Sequence, residues 1–232
     1  MIADNLKKVQ NRINAVDTKK QVTLIAVSKT KPASDLQQAI DAGQRHFGEN
    51  YLQEALDKIE SLKGQALNSS PLGGQALNSS PLGGQDLIWH FIGPIQSNKT
   101  KQIAQNFSWV HSVDRLKIAK RLNDQRPENL PKLNVLLQIN IDNEPTKSGV
   151  LESEIDEIIP HFENFQNISL RGFMCIPNPD NAKQSFKKMA QILQKHPNLD
   201  VLSMGMSADL ELAIENGATF VRIGSDIFGK RA

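Results

Sequence analysis

Lys29 closes the first apolar run of the chain, within the segment VTLIAVSKTKP. If this run is a strand of a parallel barrel, Lys29 lies at its carboxyl end, where such barrels gather their active sites. A partly desolvated barrel mouth disfavours the charged ammonium and favours the neutral amine, the nucleophile that attacks an aldehyde. For this residue taken alone, a solvated lysine at a strand end is the simpler interpretation.

A second group of candidate residues follows the last two apolar runs of the chain. Ser203 lies at the end of one run, and Arg222, Gly224 and Ser225 lie at the end of the next. Loops after the seventh and eighth strands of a (β/α)8 barrel commonly bind phosphate. Glycine lets backbone N–H groups approach phosphate oxygens, and serine hydroxyls add donors. The Gly224–Ser225 pair is therefore assigned to phosphate, whereas Ser207 is interpreted as an ordinary helix N-cap.

Three further polar residues, Asn50, His90 and Lys147, lie in or just after predicted strands. Asn50 could instead cap a helix, His90 could be a hydrogen-bonded core histidine, and Lys147 could be a solvated loop charge. These alternatives stay open from the residues alone. The five histidines have no H-x-x-x-H spacing, so no metal site is expected.

The elements that must position these residues are short apolar runs alternating with segments of helical period. Strands are predicted at residues 22–28, 45–47, 87–92, 109–113, 133–141, 170–175, 201–204 and 220–223. Helices are predicted at residues 4–16, 33–42, 51–62, 98–106, 115–124, 152–162, 183–196 and 208–216. About eight strands favour a single TIM-type (β/α)8 barrel over residues 1–232, with an extra N-terminal helix. A doubly wound open sheet predicts the same alternation, but no Gly-rich dinucleotide fingerprint follows the first strand.

One segment departs from this pattern, because the decapeptide QALNSSPLGG at residues 65–74 recurs unchanged at residues 75–84. Ten residues rich in Ser, Gly, Pro and Asn cannot bury a stacked hydrophobic face, which argues against a solenoid. We expect a flexible duplicated insert at residues 65–84, on the surface between the second helix of the barrel and the third strand.

The charge balance and cysteine content narrow the functional classes. The chain has 27 basic and 25 acidic side chains, without a Lys/Arg block, so nucleic acid is not an expected partner. Cys175 is the only cysteine, which excludes an intrachain disulfide and fits a reducing, cytoplasmic compartment. No apolar run is long enough to span a bilayer and no export signal is visible, so no membrane association is expected.

Six motifs together resemble the YggS/PROSC family of pyridoxal 5'-phosphate (PLP) homeostasis proteins, which are similar in fold to the N-terminal barrel of alanine racemase. The motifs are IAVSKTKP at 25–32, FGENYLQEA at 47–55, WHFIGPIQSNK at 89–99, QINIDNEPTKSG at 138–149, LSMGMSADLELAI at 202–214 and VRIGSDIFGKR at 221–231. They occur in the family's order over almost the whole chain. The duplicated insert is the part that the resemblance leaves uncovered.

The resemblance implies roles for individual residues. It implies that PLP forms a Schiff base on Lys29, that the phosphate lies near Ser203, Gly224 and Ser225, that Arg222 faces the pyridine nitrogen, and that Asn50 and His90 lie near the cofactor. Two residues depart from the family pattern. Ser225 replaces a common threonine and keeps the hydroxyl donor. Asp226 replaces a small residue, and its carboxylate would repel a phosphate, so we expect it to turn outward or to act as a helix N-terminal charge.

The resemblance implies a PLP-binding protein that stores, buffers or delivers the cofactor, with apo PLP-dependent enzymes as recipients, rather than an enzyme. We expect a monomer or a weak dimer. A PLP-dependent amino-acid racemase is the main alternative, but alanine racemase takes its second acid/base, a tyrosine, from a separate domain and partner subunit. The only tyrosine here is Tyr51. A Schiff-base aldolase, which would use the same lysine and phosphate loops without PLP, is a third alternative.

Overall fold

A computed structural model describes residues 1–19, 21–62 and 87–229 of the chain. The duplicated decapeptide lies outside these ranges, so its assignment as a flexible insert stays a prediction. Among the helices in these ranges, none combines the length and the apolar character that crossing a membrane requires.

Eight parallel strands close into a barrel in chain order, from β1 to β8 and back to β1. The strands are β1 Thr23–Val27, β2 His46–Glu49, β3 Ile88–Phe91, β4 Trp109–Val113, β5 Leu133–Gln138, β6 Ile168–Met174, β7 Val201–Ser203 and β8 Phe220–Ile223. Hydrogen bonding between β1 and β8 pairs Ile25 with Arg222 and Ala26 with Ile223. This closure confirms the predicted (β/α)8 barrel and excludes the open sheet.

Helices surround the barrel, and an additional helix precedes the first strand. The helices are α1 Ile2–Val16, α2 Ala33–Asp41, α3 Leu52–Leu62, α4 Thr100–Asn106, α5 Leu116–Gln125, α6 Ile155–Ile158, α7 Ala182–Gln194, α8 Leu210–Glu215 and α9 Ser225–Phe228. The buried side chains of α1 recur every three or four residues, at Ile2, Leu6, Val9 and Ile13. This apolar stripe packs α1 against α2, α8 and α9 and confirms the predicted N-terminal helix.

Several predicted boundaries were wrong. β2 extends to Glu49 rather than ending at residue 47. The predicted helix at 152–162 is α6 with a 3-10 helix on each side. The second of these contains Pro160, which has no N–H to continue an α-helical hydrogen-bond pattern. α8 begins at Leu210 with Asp209 as its N-cap, so the interpretation of Ser207 as that cap was wrong.

Successive residues of each strand point to opposite sides of the barrel wall, which separates two layers of buried side chains. Most of the core lies between the strands and the helices. A smaller cluster, including Ile25, Met174 and Phe220, is separate from that layer and fills the barrel interior. The rings of His90 and His111 contact Phe220, with centroids 5.5 and 5.7 Å away. The interior of this barrel is therefore partly polar.

Candidate functional site

Lys29 is half-buried and follows β1 by two residues, at the carboxyl end of the barrel. The preceding residue, Ser28, is fully buried and anchors the loop at two points. Its hydroxyl donates to Glu49 Oε1 at 2.6 Å, and its carbonyl accepts from Lys58 Nζ at 2.7 Å. The backbone that carries Lys29 is thereby tied to β2 and α3.

Lys58, Glu49 and Glu54 form an ion-pair network next to the Lys29 loop. Lys58 Nζ lies 2.7 Å from Glu49 Oε1 and 2.5 Å from Glu54 Oε1. The same Glu54 oxygen accepts the backbone N–H of Thr30 at 2.6 Å, and Thr30 has a positive φ of 64°. Burial raises the pKa of Glu49, while the hydrogen bond and the charge of Lys58 act to lower it. The network holds a strained turn immediately after Lys29.

Gly224 brings the end of β8 against the strand that carries Lys29. A Cβ placed on Gly224 would lie 3.1 Å from the carbonyl oxygen of Val27 and 3.4 Å from the Val27 Cβ. A larger residue would push the two strand ends apart. The glycine therefore keeps the β8–α9 turn beside the Lys29 loop.

The loops after β7 and β8 meet through two hydroxyl groups. Ser207 Oγ lies 3.2 Å from Ser225 Oγ, and Ser225 is exposed. Gly205 has a φ of 93°, which favours glycine. It packs closely on α8, and a Cβ added to it would lie only 2.5 Å from the Ala213 Cβ. Ser207, which sequence reasoning assigned only to helix capping, thus lies beside the predicted phosphate ligand Ser225.

Arg12 of α1 joins these two loops from outside the barrel. Its guanidinium donates to Glu211 Oε1 at 2.7 Å, to Asp226 Oδ2 at 2.7 Å and to the Ser207 carbonyl at 3.0 Å. The Asp226 carboxylate is therefore turned toward α1, which confirms the expectation that it points outward. Sequence reasoning missed Arg12, because its partners lie about 200 residues away and no local pattern marks them.

Asn50 follows β2 and has a buried side-chain oxygen, Oδ1, without a hydrogen-bond partner among the described residues. This oxygen does not cap α3, so the capping interpretation of Asn50 is not supported. The backbone of Asn50 packs directly on Gly93, where a Cβ would lie 2.2 Å from the Asn50 carbonyl oxygen. Buried polar atoms are seldom left unpaired in native proteins, so this oxygen is available to a ligand group or to water.

Arg222 and Ser203 lie inside the barrel, with exposed fractions of 6% and 0%. Arg222 Nη1 donates to Ser203 Oγ at 2.7 Å, and Nη2 donates to the Cys175 carbonyl at 2.9 Å. The Ser203 hydroxyl also lies 2.8 Å from His111 Nδ1. Ser203 therefore lies in the barrel interior, in contact with Arg222, whereas Ser225 is exposed.

His90 belongs to a chain of three histidines. His90 Nδ1 lies 2.9 Å from His111 Nε2, and His90 Nε2 lies 3.0 Å from His46 Nδ1. Burial lowers the pKa of His46 to about 4 and holds the pKa of His90 and His111 well below the ordinary histidine value. All three rings are therefore neutral at pH 7. His90 is a hydrogen-bonded core histidine, which agrees with the more conservative of its two interpretations.

Lys147, the third of the weaker candidates, pairs with Glu144 at 2.7 Å and also reaches the Ile176 carbonyl at 3.4 Å. Asn140 holds the same loop through bonds to the carbonyls of Glu144 and Lys147. Over the described ranges, no group of three or more His, Cys, Asp or Glu side chains is arranged to hold a metal ion.

Comparison with known proteins agrees with this geometry. The family model "Alanine racemase, N-terminal domain" matches residues 1–232. The chain is 46% identical to the pyridoxal phosphate homeostasis protein of Escherichia coli, over 99% of this chain and 97% of that protein. It is 48% identical to the protein of the same name from Pseudomonas aeruginosa, over 99% and 96% of the two chains.

Solved structures show the same relationship. PipY of Synechococcus elongatus, solved with PLP bound, superposes with a TM-score of 0.79 at 33% identity and covers 99% of this chain and 100% of its own. An alanine racemase from Clostridium difficile superposes with a TM-score of 0.67 at 14% identity, over 98% of this chain and 57% of that one, which reflects the shared fold.

The closed barrel, with a lysine after β1 and paired loops after β7 and β8, is of the class formed by the alanine racemase N-terminal domain. Within that class, the chain belongs to the family of pyridoxal phosphate homeostasis proteins.

Proposed function

We propose that this protein binds PLP at the carboxyl-terminal mouth of its barrel and serves PLP homeostasis by storing, buffering or delivering the cofactor. The principal support is PipY, which has been solved with PLP bound and matches this chain over nearly its whole length at 33% identity. The relatives from E. coli and P. aeruginosa carry the same functional name at higher identity.

The residues present fit PLP at each of its ends. Lys29 provides an amine for a Schiff base with the cofactor's aldehyde. Gly224 and Ser225 would provide a close backbone approach and a hydroxyl for the phosphate, and the Ser207 hydroxyl, 3.2 Å from that of Ser225, would lie beside the same anion. In support, Gly224 packs tightly on Val27, which brings the end of β8 beside the strand that precedes Lys29. Bound PLP would supply an electrophilic aldehyde and an electron-accepting ring.

We assign three further residues to the same site. The unpaired Asn50 oxygen is available to a donor of the cofactor or to a water that the cofactor holds. Arg222 is assigned to the pyridine nitrogen, because its guanidinium is a permanent donor. Ser203 and His90 are buried, so neither is assigned a direct contact with the cofactor. We propose that Ser203 holds Arg222 through their hydrogen bond and that His90 acts through its hydrogen-bonded neighbours.

The function is tested by incubating the purified protein with PLP and recording its absorption spectrum before and after borohydride reduction. We expect a visible band that reduction removes, together with a mass increase corresponding to one PLP. A protein that stays colourless and unmodified at millimolar PLP would contradict the proposal. The same measurement separates PLP binding from the aldolase alternative, which predicts no such band.

We further propose that the protein is not a racemase. An arginine at the pyridine nitrogen would leave that nitrogen unprotonated and weaken the ring as an electron sink. Alanine racemase works with the same arrangement, but its separate domain supplies the opposing acid/base. The single tyrosine, Tyr51, is 52% exposed, whereas a second acid/base in a racemase site would be shielded from solvent.

This part of the proposal predicts little turnover of amino acids. When the PLP-loaded protein is incubated with L-alanine in deuterated water, we expect Cα exchange and D-alanine formation far slower than about 1 s⁻¹, the lower end of ordinary enzymatic turnover. Alanine racemase serves as the positive control. Turnover in the common enzymatic range would favour the racemase.

Lys29 is half-buried and Ser225 is exposed, so PLP held between them would be accessible for exchange, and we propose apo PLP-dependent enzymes as recipients. We propose that the protein is cytoplasmic and that it is a monomer or a weak dimer. Transfer is measured by the recovery of activity of an apo-enzyme mixed with the loaded protein. Recovery no faster than with an equal concentration of free PLP would indicate release into solution rather than delivery by contact.

Arg12 provides a test of the phosphate loops from outside the site. Arg12→Ala removes the bonds that hold Ser207 and Asp226 together, so we expect PLP to dissociate more readily, with Kd raised about three- to tenfold. The free energy of unfolding should fall by only about 1 kcal/mol, because the ion pairs are partly exposed. Titration of the visible band and thermal melting measure the two effects.

Lys8→Ala is the matched control, since Lys8 is an exposed residue one turn earlier on α1. It should leave both the Kd and the melting temperature unchanged. Equal effects of the two substitutions would show that Arg12 has no specific role in ordering the loops.

A further inference from the structure

A continuous chain of polar side chains crosses the barrel interior. It begins at Arg222, passes through Ser203, His111 and His90, and ends at His46, with the four links between 2.7 and 3.0 Å long. His46 is the first residue of β2 and is half-buried, so the chain reaches the amino-terminal face of the barrel. Such a chain requires each neutral ring to donate on one side and accept on the other.

Only two proton arrangements satisfy the histidine links, and all three rings share one tautomer in each. In the first, every ring carries its proton on Nε2, and the direction of donation is from Ser203 to His111, His90 and His46. In the second, every ring carries its proton on Nδ1, and the direction of donation is reversed. The position of the protons follows from the partners at the buried end of the chain, Ser203 and Arg222.

The Ser203 hydroxyl decides between these arrangements. Its oxygen already accepts a hydrogen bond from Arg222 Nη1. If Ser203 donates to His111 Nδ1, its single proton is used and every interior donor has an acceptor. If His111 donates instead, the buried Ser203 hydroxyl proton has no acceptor within the described parts of the chain, which costs about 1 to 3 kcal/mol.

The charge of Arg222 favours the same direction. In the first arrangement the oxygen and the acceptor nitrogens of the chain face the guanidinium, whereas in the second the N–H groups face it. A buried cation is stabilised by dipoles whose negative ends point toward it. The two arguments are independent, and both select the Nε2–H tautomer.

We propose that His46, His90 and His111 are positioning residues that form one hydrogen-bond chain of fixed polarity, accepting from Arg222 through Ser203 and holding its guanidinium in place. Through this chain the three histidines set the orientation of Arg222 toward the PLP ring. That last part rests on the proposed PLP site, whereas the polarity of the chain does not. Each link passes its orientation to the next, so loss of His90, which is separated from Arg222 by Ser203 and His111, should still affect the position of the guanidinium.

The polarity is tested on the protein without PLP. Long-range ¹H–¹⁵N correlation spectra of histidine-labelled protein at neutral pH identify the protonated nitrogen of each ring, and single His→Gln variants assign the signals. We expect the Nε2–H tautomer at His46, His90 and His111. An Nδ1–H tautomer or a doubly protonated ring at any of the three positions would overturn the proposal.

The effect on the cofactor site is tested with His90→Leu, which removes one link without altering Arg222 or Ser203. We expect the Kd for PLP to rise about tenfold and the visible band to shift, because the chain that orients Ser203, the partner of Arg222, is then broken. His90→Gln supplies an amide N–H donor and a carbonyl acceptor, and should restore both properties toward the wild-type values. Trp109→Phe is the control, since Trp109 packs on the His90 ring without joining the chain.

The two experiments distinguish failure of the hydrogen-bond chain from failure of the proposed PLP-binding function. If the wild-type protein does not bind PLP, the proposed function fails, and the tautomer spectra still decide the polarity. If folded His90→Leu binds PLP with unchanged affinity and spectrum, the positioning role is wrong. Should His90→Leu not fold, His46→Leu at the half-buried end of the chain replaces it, with the same expectations.

Discussion

Lys29→Ala is expected to abolish the covalent PLP adduct completely. The amine of Lys29 is the group that we assign to the Schiff base, and alanine cannot form one. After incubation with PLP and borohydride, the variant should show neither the visible band nor the increase in mass. Peptide mapping of the wild-type protein should place the reduced adduct on Lys29.

Weak binding of PLP should survive in this variant. The phosphate loops remain intact, and each charge-assisted hydrogen bond contributes roughly 1.5 to 3 kcal/mol. Lys147→Ala is the matched control, because Lys147 is a half-buried lysine that bonds to Ile176 in the loop after β6. It should keep the full adduct. A reducible adduct of unchanged yield in Lys29→Ala would show that another lysine carries PLP.

Lys58→Met is expected to cause the largest loss of stability, about 3 to 5 kcal/mol. Lys58 and Glu49 are 5% and 0% exposed, and the substitution leaves the Glu49 carboxylate buried without its counter-charge. Glu49 Oε2 already has no hydrogen-bond partner in the described ranges, which adds to the cost. For a chain of this length, the melting temperature should fall by on the order of 10 °C.

The same substitution should loosen the Lys29 loop. Lys58 bonds the Ser28 carbonyl, and it also holds Glu54, which accepts the Thr30 N–H. We therefore expect slower formation of the PLP adduct, even at temperatures at which the variant is folded. Lys120→Met is the matched control, because the Lys120–Asp124 pair is exposed. It should change stability by less than about 0.5 kcal/mol. Similar losses in both variants would contradict a special role for the buried pair.

The loss of stability in Lys58→Met should depend on pH. Burial raises the pKa of Glu49, and without Lys58 the opposing effect is lost, so the pKa should rise further. A carboxyl whose folded-state pKa is raised stabilises the fold at low pH, and this stabilisation is lost as the pH rises through the folded-state pKa. The difference in melting temperature between variant and wild type should therefore shrink from pH 8 to pH 5. A constant difference would show that Glu49 is not the group responsible.

The sequence by itself determined the fold class and the face of the barrel on which the candidate site residues lie. Alternation of apolar runs with helical segments predicted eight strands, and the closed barrel confirmed it. Lys29, Gly224 and Ser225 each follow a strand, and a parallel barrel brings the carboxyl ends of its strands together at one face. Their common location could therefore be predicted from strand order alone.

The tertiary structure decided the contacts that join distant segments. Ser203 looked like a phosphate ligand in the sequence, yet its hydroxyl bonds His111 and Arg222 inside the barrel. The period of a strand shows which residues share a face, but the partner across the barrel depends on register and closure. No local pattern reports either of these.

The supporting groups were missed for the same physical reason. Lys58 lies on α3 and looks like a surface lysine of an amphipathic helix, until packing places it against the buried Glu49. Arg12 finds its partners some 200 residues away, and His46 joins His90 only when β2 and β3 pair. The strand ends that present the site follow from the sequence, whereas the side chains that hold those ends in place are set by three-dimensional packing.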